Sequence, residues 1–298
     1  MTNIALLDGS IGQEIVKRAG DKPTPLWSTS VMMEKPEIVG AVHADYFNVG
    51  ATIATANSYA VYPDRLERAS LEHDHLKLLD IAMAQATAAR DAHGAGRVAA
   101  ALGPLGATYR PDIEVPLEEA AATFRANVER MEPSADLFII ETVSSLQNAR
   151  GALMGCSGSK KPVWLSLSVD DNDGTKLRSG EPLAEVETLV TEFAPAAVLL
   201  NCSRPEAISQ GLPILAGLGL PFGAYANGFT HIADGFLKAA PTVDALEQRK
   251  DLGPKDYAKF VMHWVSQGAT IVGGCCEVGP EHISELARQL TAAGHSIV

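Results

Sequence analysis

Gly268-Ala269-Thr270-Ile271-Val272-Gly273-Gly274-Cys275-Cys276 carries the chain from the end of a helical pattern, through a short apolar run, into two adjacent cysteines. Its first four residues repeat an earlier stretch, Gly50-Ala51-Thr52-Ile53, which also lies between a helical pattern and an apolar run. Glycine at such a place supplies the left-handed turn that closes a helix. The pair is a local echo of one βα unit and not the sign of a long repeat.

Working outward, apolar runs of strand length recur at Ile4–Asp8, Thr52–Asn57, Val98–Gly103, Leu137–Glu141, Val163–Val169, Ala197–Cys202, Phe222–Asn227 and Ile271–Cys275. They are nearly continuous in Val, Ile, Leu and Ala rather than alternating, as strands buried on both faces are. Amphipathic stripes separate them: Ile38, Val42, Tyr46 and Val49; Leu117, Ala121, Phe124, Val128 and Met131; Leu183, Val186, Val190 and Phe193; Tyr257, Val261, Trp264 and Val265. Pro36, Pro205 and Pro280 stand just inside helix starts, where a missing N–H costs nothing. Eight buried strands alternating with helices predict an α/β chain folded as a single (β/α)8 TIM barrel, one domain over residues 1–298. The open doubly wound sheet is the alternative, but Asp8-Gly9-Ser10-Ile11-Gly12 lacks the G-x-G-x-x-G pattern that would favour it. One long irregular segment, 228–253, follows the seventh strand.

The chain has 298 residues, of which 46% are hydrophobic and 20% charged, which suffices for a large core. The net charge of −12 and the lack of a Lys/Arg cluster argue against a nucleic-acid partner. No apolar run reaches membrane-spanning length, and no leader-like pattern opens the chain. Four unevenly spaced cysteines make no disulfide framework and suit metal or catalysis in a reducing compartment. The expectation is a cytoplasmic protein acting on small molecules, as a monomer or small homo-oligomer.

In a barrel, function gathers at the C-terminal ends of the strands. There the sequence puts Asp8, Glu141-Thr142, Asn201-Cys202, Tyr225-Ala226-Asn227 and Cys275-Cys276. Three of four cysteines and two carboxylates thus fall on one rim, while Cys156 lies on a helix away from it. Three converging thiolates form a metal site, and soft sulfur with an open fourth position suits zinc. Cys202 alone would read as an ordinary core residue, and a rim carboxylate alone as a loop cap. Gly9, Ser10 and the residues after them lead into a helix whose backbone N–H groups suit a carboxylate. With Asp8 and Glu141 beside it, such a loop fits the zwitterionic head of an amino acid. Trp27, Tyr59, Tyr109, Tyr225 and Phe229 are aromatic faces for a cation, with plain packing the stronger reading for Tyr109 and Phe229. Glu72-His73-Asp74-His75 reads as a solvated helical face, and His231 as a loop position.

These residues resemble the zinc-dependent homocysteine S-methyltransferases, essentially end to end. The likeness runs through Leu7-Asp8-Gly9, Leu26-Trp27-Ser28, Pro36-Glu37, Ala44-Asp45-Tyr46, Ala56-Asn57-Ser58-Tyr59, Gly103-Pro104 and Ile140-Glu141-Thr142. It continues through Asn201-Cys202-Ser203, Tyr225-Ala226-Asn227-Gly228 and Gly273-Gly274-Cys275-Cys276, and the two cysteine motifs in this order are its most specific part. The resemblance implies that Cys202, Cys275 and Cys276 hold Zn2+, with the sulfur of homocysteine in the open position. It further implies that Asp8 and Glu141 bind the substrate amine, with backbone after Asp8 near its carboxylate. Asn201, Tyr59, Trp27 and Tyr225 complete the expected substrate-binding set. The chain departs from the family at Ala226, where proline is common. By length it is more similar to the compact branch that uses S-methylmethionine or S-adenosylmethionine. Two alternatives keep the thiolate site: a different thiol or selenol acceptor such as selenocysteine, or a non-catalytic zinc- or thiol-binding redox sensor.

Overall fold

The apolar runs form parallel strands in the computed structural model, which describes residues 2–20, 26–232 and 246–298. The first half of the chain builds β1 (Asn3–Leu6), α1 (Ile11–Ala19), α2 (Ser28–Glu34), α3 (Pro36–Asn48), β2 (Ile53–Thr55), α4 (Pro63–Leu66), α5 (His75–His93), β3 (Arg97–Leu102), α6 (Leu117–Met131) and β4 (Leu137–Val143). The second half adds α7 (Leu146–Cys156), β5 (Val163–Leu167), α8 (Val186–Phe193), β6 (Ala197–Asn201), α9 (Pro205–Ala216), β7 (Phe222–Tyr225), α10 (Pro254–Ser266), β8 (Ile271–Val272), α11 (Pro280–Ala292) and β9 (Ser296–Ile297). Pro36, Pro205 and Pro280 do open helices, as does Pro254.

The strands make one nine-stranded parallel sheet in the order β2-β3-β4-β5-β6-β7-β8-β1-β9. Its two faces explain the unbroken apolar runs. Helices cover one face, packing Val42, Tyr46, Phe124, Val128, Val261 and Trp264 against Ile4, Leu102, Ile140 and Val272. On the other face Leu7, Ile53, Ala99, Ile139, Trp164, Leu199, Tyr225 and Ile271 meet in a single cluster, although they come from eight different strand segments. Just past β1, Leu7 bridges Ile53 of β2, and the Asp8 N–H donates to the Ile53 carbonyl at 3.1 Å. β9 takes the earlier half of the same edge, pairing Asn3 with Ser296 and Ile4 with Ile297.

The echoed glycines work alike. Gly50 and Gly268 have φ of +110° and +104°, and the following amides of Ala51 and Ala269 donate back to Tyr46 and Trp264. A β-carbon at either position would be strained in that left-handed turn. Several strands end earlier than the apolar runs suggested. β8 stops at Val272, so Cys275 and Cys276 sit beyond it, and β6 stops at Asn201, after which Cys202 turns to φ +48°. Burial continues past the ladder, so hydrophobicity does not mark where pairing ends. The run Glu72–His75 also differs from a solvated face. His73 is exposed, but His75 opens α5 as a buried side chain whose Nε2 lies 2.7 Å from Asn127 Oδ1 on α6. Residues 233–245 of the irregular segment 228–253 lie outside the described residues; nearby, Phe229 bridges Gln248.

Candidate metal and substrate site

The C-terminal strand ends bring three sulfurs together. Cys202, Cys275 and Cys276 place their Sγ atoms within 4.8 Å of one another. Cys202 and Cys275 are joined as a disulfide, and Cys276 carries a free thiol. Three free thiolates were expected; sulfurs that converge enough to share a metal also converge enough to oxidise. Reduction turns the same three side chains into a tridentate sulfur donor set, which suits a soft or borderline metal. Burial, and secondarily Glu277, push the Cys276 thiol up to about 12, so the site favours a thiolate there only beside a cation. Cys156 ends α7, buried in the helix-facing layer and apart from this cluster.

The backbone around the cysteine pair is tightly held. Cys275 N–H donates to Ala226 O at 2.9 Å, Gly228 N–H to Cys276 O at 2.8 Å, and Gly274 N–H to Asp8 O at 3.0 Å. The double glycine serves close approach here rather than unusual torsions: a β-carbon on Gly273 would lie 2.5 Å from Leu7 Cβ, and one on Gly274 2.1 Å from Val278 Cγ1. Gln13, on the first turn of α1, was not singled out by sequence. Its Oε1 accepts the Glu277 N–H at 2.7 Å and its Nε2 donates to the Glu277 carboxylate, locking the left-handed residue after the cysteines. Nothing in the spacing of Gln13 and Glu277 could have disclosed a partner 264 positions away.

Two carboxylates share the cavity beside these sulfurs. Asp8 is buried, and both its oxygens accept from Thr55, one from the N–H and one from the hydroxyl, each at 2.6 Å. Burial raises its carboxyl well above the ordinary range, against the opposing pull of Thr55 and with a further push from Glu141. Burial likewise lifts Glu141 to about 7, although Tyr225 Oη donates to its Oε1 at 2.8 Å. Two acids that resist ionisation in one cavity are a place where a bound ammonium is favoured.

Several of the expected substrate contacts turn out to hold the site itself. Tyr225 is engaged with Glu141. Asn201 accepts the Thr142 N–H at 2.9 Å and donates to its hydroxyl at 3.0 Å, pinning Thr142 at φ +58° directly after Glu141. A β-branched residue is strained in that region, and such strain is found at functional sites. The Ser10 N–H is spent on Val278 O at 2.9 Å and its hydroxyl on Gln13, while Gly9 sits where a β-carbon would meet that same carbonyl. Ile11 and Gly12, on the opening turn of α1, also line the cavity. Tyr59 lines it with its hydroxyl 3.0 Å from Thr108 Oγ1, and Trp27 lines it with a buried Nε1 that has no acceptor among the described residues. Tyr109 and Phe229, read as packing, do pack, but against Cys202, Cys275 and Cys276. Over the Tyr109 ring, at 4.7 Å, lies the guanidinium of Arg178, which also donates to Cys202 O at 3.3 Å and pairs with Asp171 at 2.9 Å. His231 is exposed.

At position 226 the departure from proline has a structural counterpart. The Ala226 N–H donates to Tyr257 Oη at 3.0 Å, and that hydroxyl donates to Gly273 O at 2.7 Å. Proline has no N–H to offer there.

The chain belongs to the homocysteine S-methyltransferase family, whose sequence model matches residues 5–290. Among individual relatives it is 28% identical to the homocysteine S-methyltransferase of Escherichia coli strain K12 over 302 residues, covering 95% of this chain and 94% of the relative. Its structure is similar to that of the Escherichia coli homocysteine methyltransferase MmuM in the metallated form, with a TM-score of 0.81, 27% identity and coverage of 97% and 96%. The oxidised form of MmuM is similar to it as well, with a TM-score of 0.80, 27% identity and coverage of 96% of each chain.

Proposed function

We propose that the protein is a zinc-dependent methyltransferase that moves a methyl group from a sulfonium donor to L-homocysteine, giving L-methionine. The observation that carries this reading is the convergence of Cys202, Cys275 and Cys276 within 4.8 Å in a cavity also lined by Asp8 and Glu141. The three cysteines fit zinc by the chemistry of their donor atoms, as three protein thiolates with a fourth position left for substrate. When bound, the ion supplies thiol activation, because coordination to zinc deprotonates a thiol near neutral pH.

The remaining work falls to this chain's own residues. Glu141, with Asp8 behind it, takes the ammonium of homocysteine, and the opening turn of α1 at Ile11 and Gly12 takes its carboxylate. Tyr225 and Thr55 hold those acids in place, and Asn201 holds Thr142 beside Glu141. The aromatic walls of Trp27 and Tyr59 accept the positive donor and exclude water. The homocysteine sulfur then forms a bond to the methyl carbon as the donor's carbon–sulfur bond breaks. The electron pair stays on the donor sulfur, which leaves as a neutral thioether, and the thiol proton passes to solvent. Holding the homocysteine sulfur and the methyl carbon at near-attack distance provides a large share of the rate.

The same reading closes the sheet into a (β/α)8 barrel across the Leu7–Ile53 bridge and treats residues 1–298 as one domain, supported by a family match over 5–290. It also puts the protein in the cytoplasm, since zinc binding needs Cys202 and Cys275 reduced. None of the described helices is long and apolar enough to cross a membrane. The test is direct. Reduced, purified protein is assayed for zinc and for methionine formed from homocysteine with S-methylmethionine, S-adenosylmethionine, betaine or methyltetrahydrofolate. Zinc bound and methionine formed from a sulfonium support the reading; a metal-free protein indifferent to chelators refutes it.

A further inference from the structure

The cavity that holds the cysteines has a basic wall to which the methyl-transfer scheme assigns no task. Arg65, in α4, and Arg68, in the 3-10 turn Glu67–Ala69 that follows, lie three residues apart and both line the cavity. Such spacing puts two side chains on one face of a helical turn. The Arg65 guanidinium lies 5.7 Å from the centre of the Tyr59 ring, and its Nη2 donates to Pro104 O at 2.7 Å. Its Nε, however, is buried without an acceptor among the described residues, and so is Nε1 of Trp27 in the same cavity. Arg68 is exposed and has neither ion pair nor hydrogen bond among the described residues. Buried N–H donors without partners are costly, and a ligand acceptor removes that cost.

The charges sort by location. The acids adjoin the sulfurs, for Cys275 packs against the group that contains Tyr225, whose hydroxyl holds Glu141. Of the bases, Arg65 lies over the Tyr59 ring and Arg68 follows it by three residues. A bare sulfonium cation leaves the two guanidinium groups in this cavity without a counter-charge. A zwitterion with its sulfonium toward the sulfurs and a carboxylate toward the arginines matches the cavity in both signs. Guanidinium groups bind carboxylates in charge-assisted, often bidentate, geometry.

We infer that Arg65 and Arg68 form the subsite that holds the carboxylate of the sulfonium methyl donor. The inference rests on the methyl-transfer reading, and the experiment separates the two. Zinc-loaded, reduced protein is titrated calorimetrically with S-methylmethionine and with trimethylsulfonium, as wild type and as Arg68→Gln. Arg68 is exposed and unpaired, so its replacement leaves folding undisturbed. The expected result is a weakening of S-methylmethionine by about tenfold or more, the loss of one charge-assisted contact, with the preference over trimethylsulfonium shrinking by the same factor. Arg65→Lys, which keeps the charge but loses the fork, gives a smaller weakening in the same direction. In turnover, the Arg68→Gln effect falls on the donor KM. Equal S-methylmethionine affinity in wild type and Arg68→Gln, or a rise confined to the homocysteine KM, overturns the subsite. Arg68-dependent binding of S-methylmethionine by a wild-type protein that forms no methionine keeps the subsite and refutes the reaction.

Discussion

Replacing Glu141 with glutamine tests the amine site most sharply, because the structure sets both the sign and the size of the effect. Burial lifts this carboxyl from an ordinary 4.5 to about 7. At about 1.4 kcal/mol per unit, a cation that restores the ordinary value gains about 3 kcal/mol from the carboxylate. Glu141 is partly open to the cavity, so screening reduces that to about 1–2 kcal/mol. Glu141→Gln keeps the shape and the acceptor for Tyr225 but removes the charge, and is expected to raise the homocysteine KM about five- to thirtyfold. The pH dependence follows. Below about pH 7 the wild-type acid is neutral, so kcat/KM for homocysteine falls with acidity, up to about tenfold per unit, while the variant lacks this acid limb. Stability runs the other way. The raised value means that Glu141 favours the fold fully below pH 4.5 and progressively less as pH rises through about 7. At pH 8 the variant should therefore melt no lower than wild type. Steady-state kinetics from pH 5.5 to 8.5 and a melting curve read all three. An unchanged KM, or an acid limb that persists in Glu141→Gln, refutes the assignment.

Cys202→Ala, Cys275→Ala and Cys276→Ala should each abolish methyl transfer and most bound zinc while leaving the fold intact; full zinc retention in any one, by elemental analysis, removes that residue from the ligand set. Gln13→Leu strips both bonds from Glu277 and should speed zinc loss to a chelator severalfold, with Glu277→Gln closer to wild type because an amide can still meet Gln13. Equal loss rates in all three proteins would show that the turn is held without Gln13. Asn201→Ala leaves Thr142 without its two bonds and should cost about 1–3 kcal/mol. For a chain of this size that lowers Tm by roughly 2–4 °C per kcal/mol, and an unshifted Tm would mean that other contacts pin Thr142.

What sequence could disclose, and what it could not, divides along a physical line. A buried parallel strand announces itself by composition, and in this fold its C-terminal end is where chemistry collects. Cys202, Cys275, Cys276, Asp8 and Glu141 could therefore be named from position alone, and the structure brings them into one cavity. The partners that hold them could not be named. Thr55 on Asp8, Tyr225 on Glu141, Asn201 on Thr142 and Gln13 on Glu277 are matches between side chains 47, 84, 59 and 264 positions apart. No periodicity encodes such matches, because each depends on two rotamers meeting across segments distant in the chain. For the same reason Tyr225 and Asn201 were read as substrate contacts when their polar atoms are already engaged. His75 was misplaced on a solvated face because its partner sits on another helix.

Ala226 shows the limit from the other side. Against the family pattern it is only an absence of proline, with no direction attached. In the structure its N–H is the first link of a chain through Tyr257 Oη to Gly273 O, two residues before Cys275. Tyr257 lies on α10, so the bond ties a covering helix to the strand ends that carry the sulfurs. A proline there would silence one donor and leave the buried hydroxyl with one partner fewer. The departure is therefore an added brace between α10 and the segment that leads into Cys275 and Cys276.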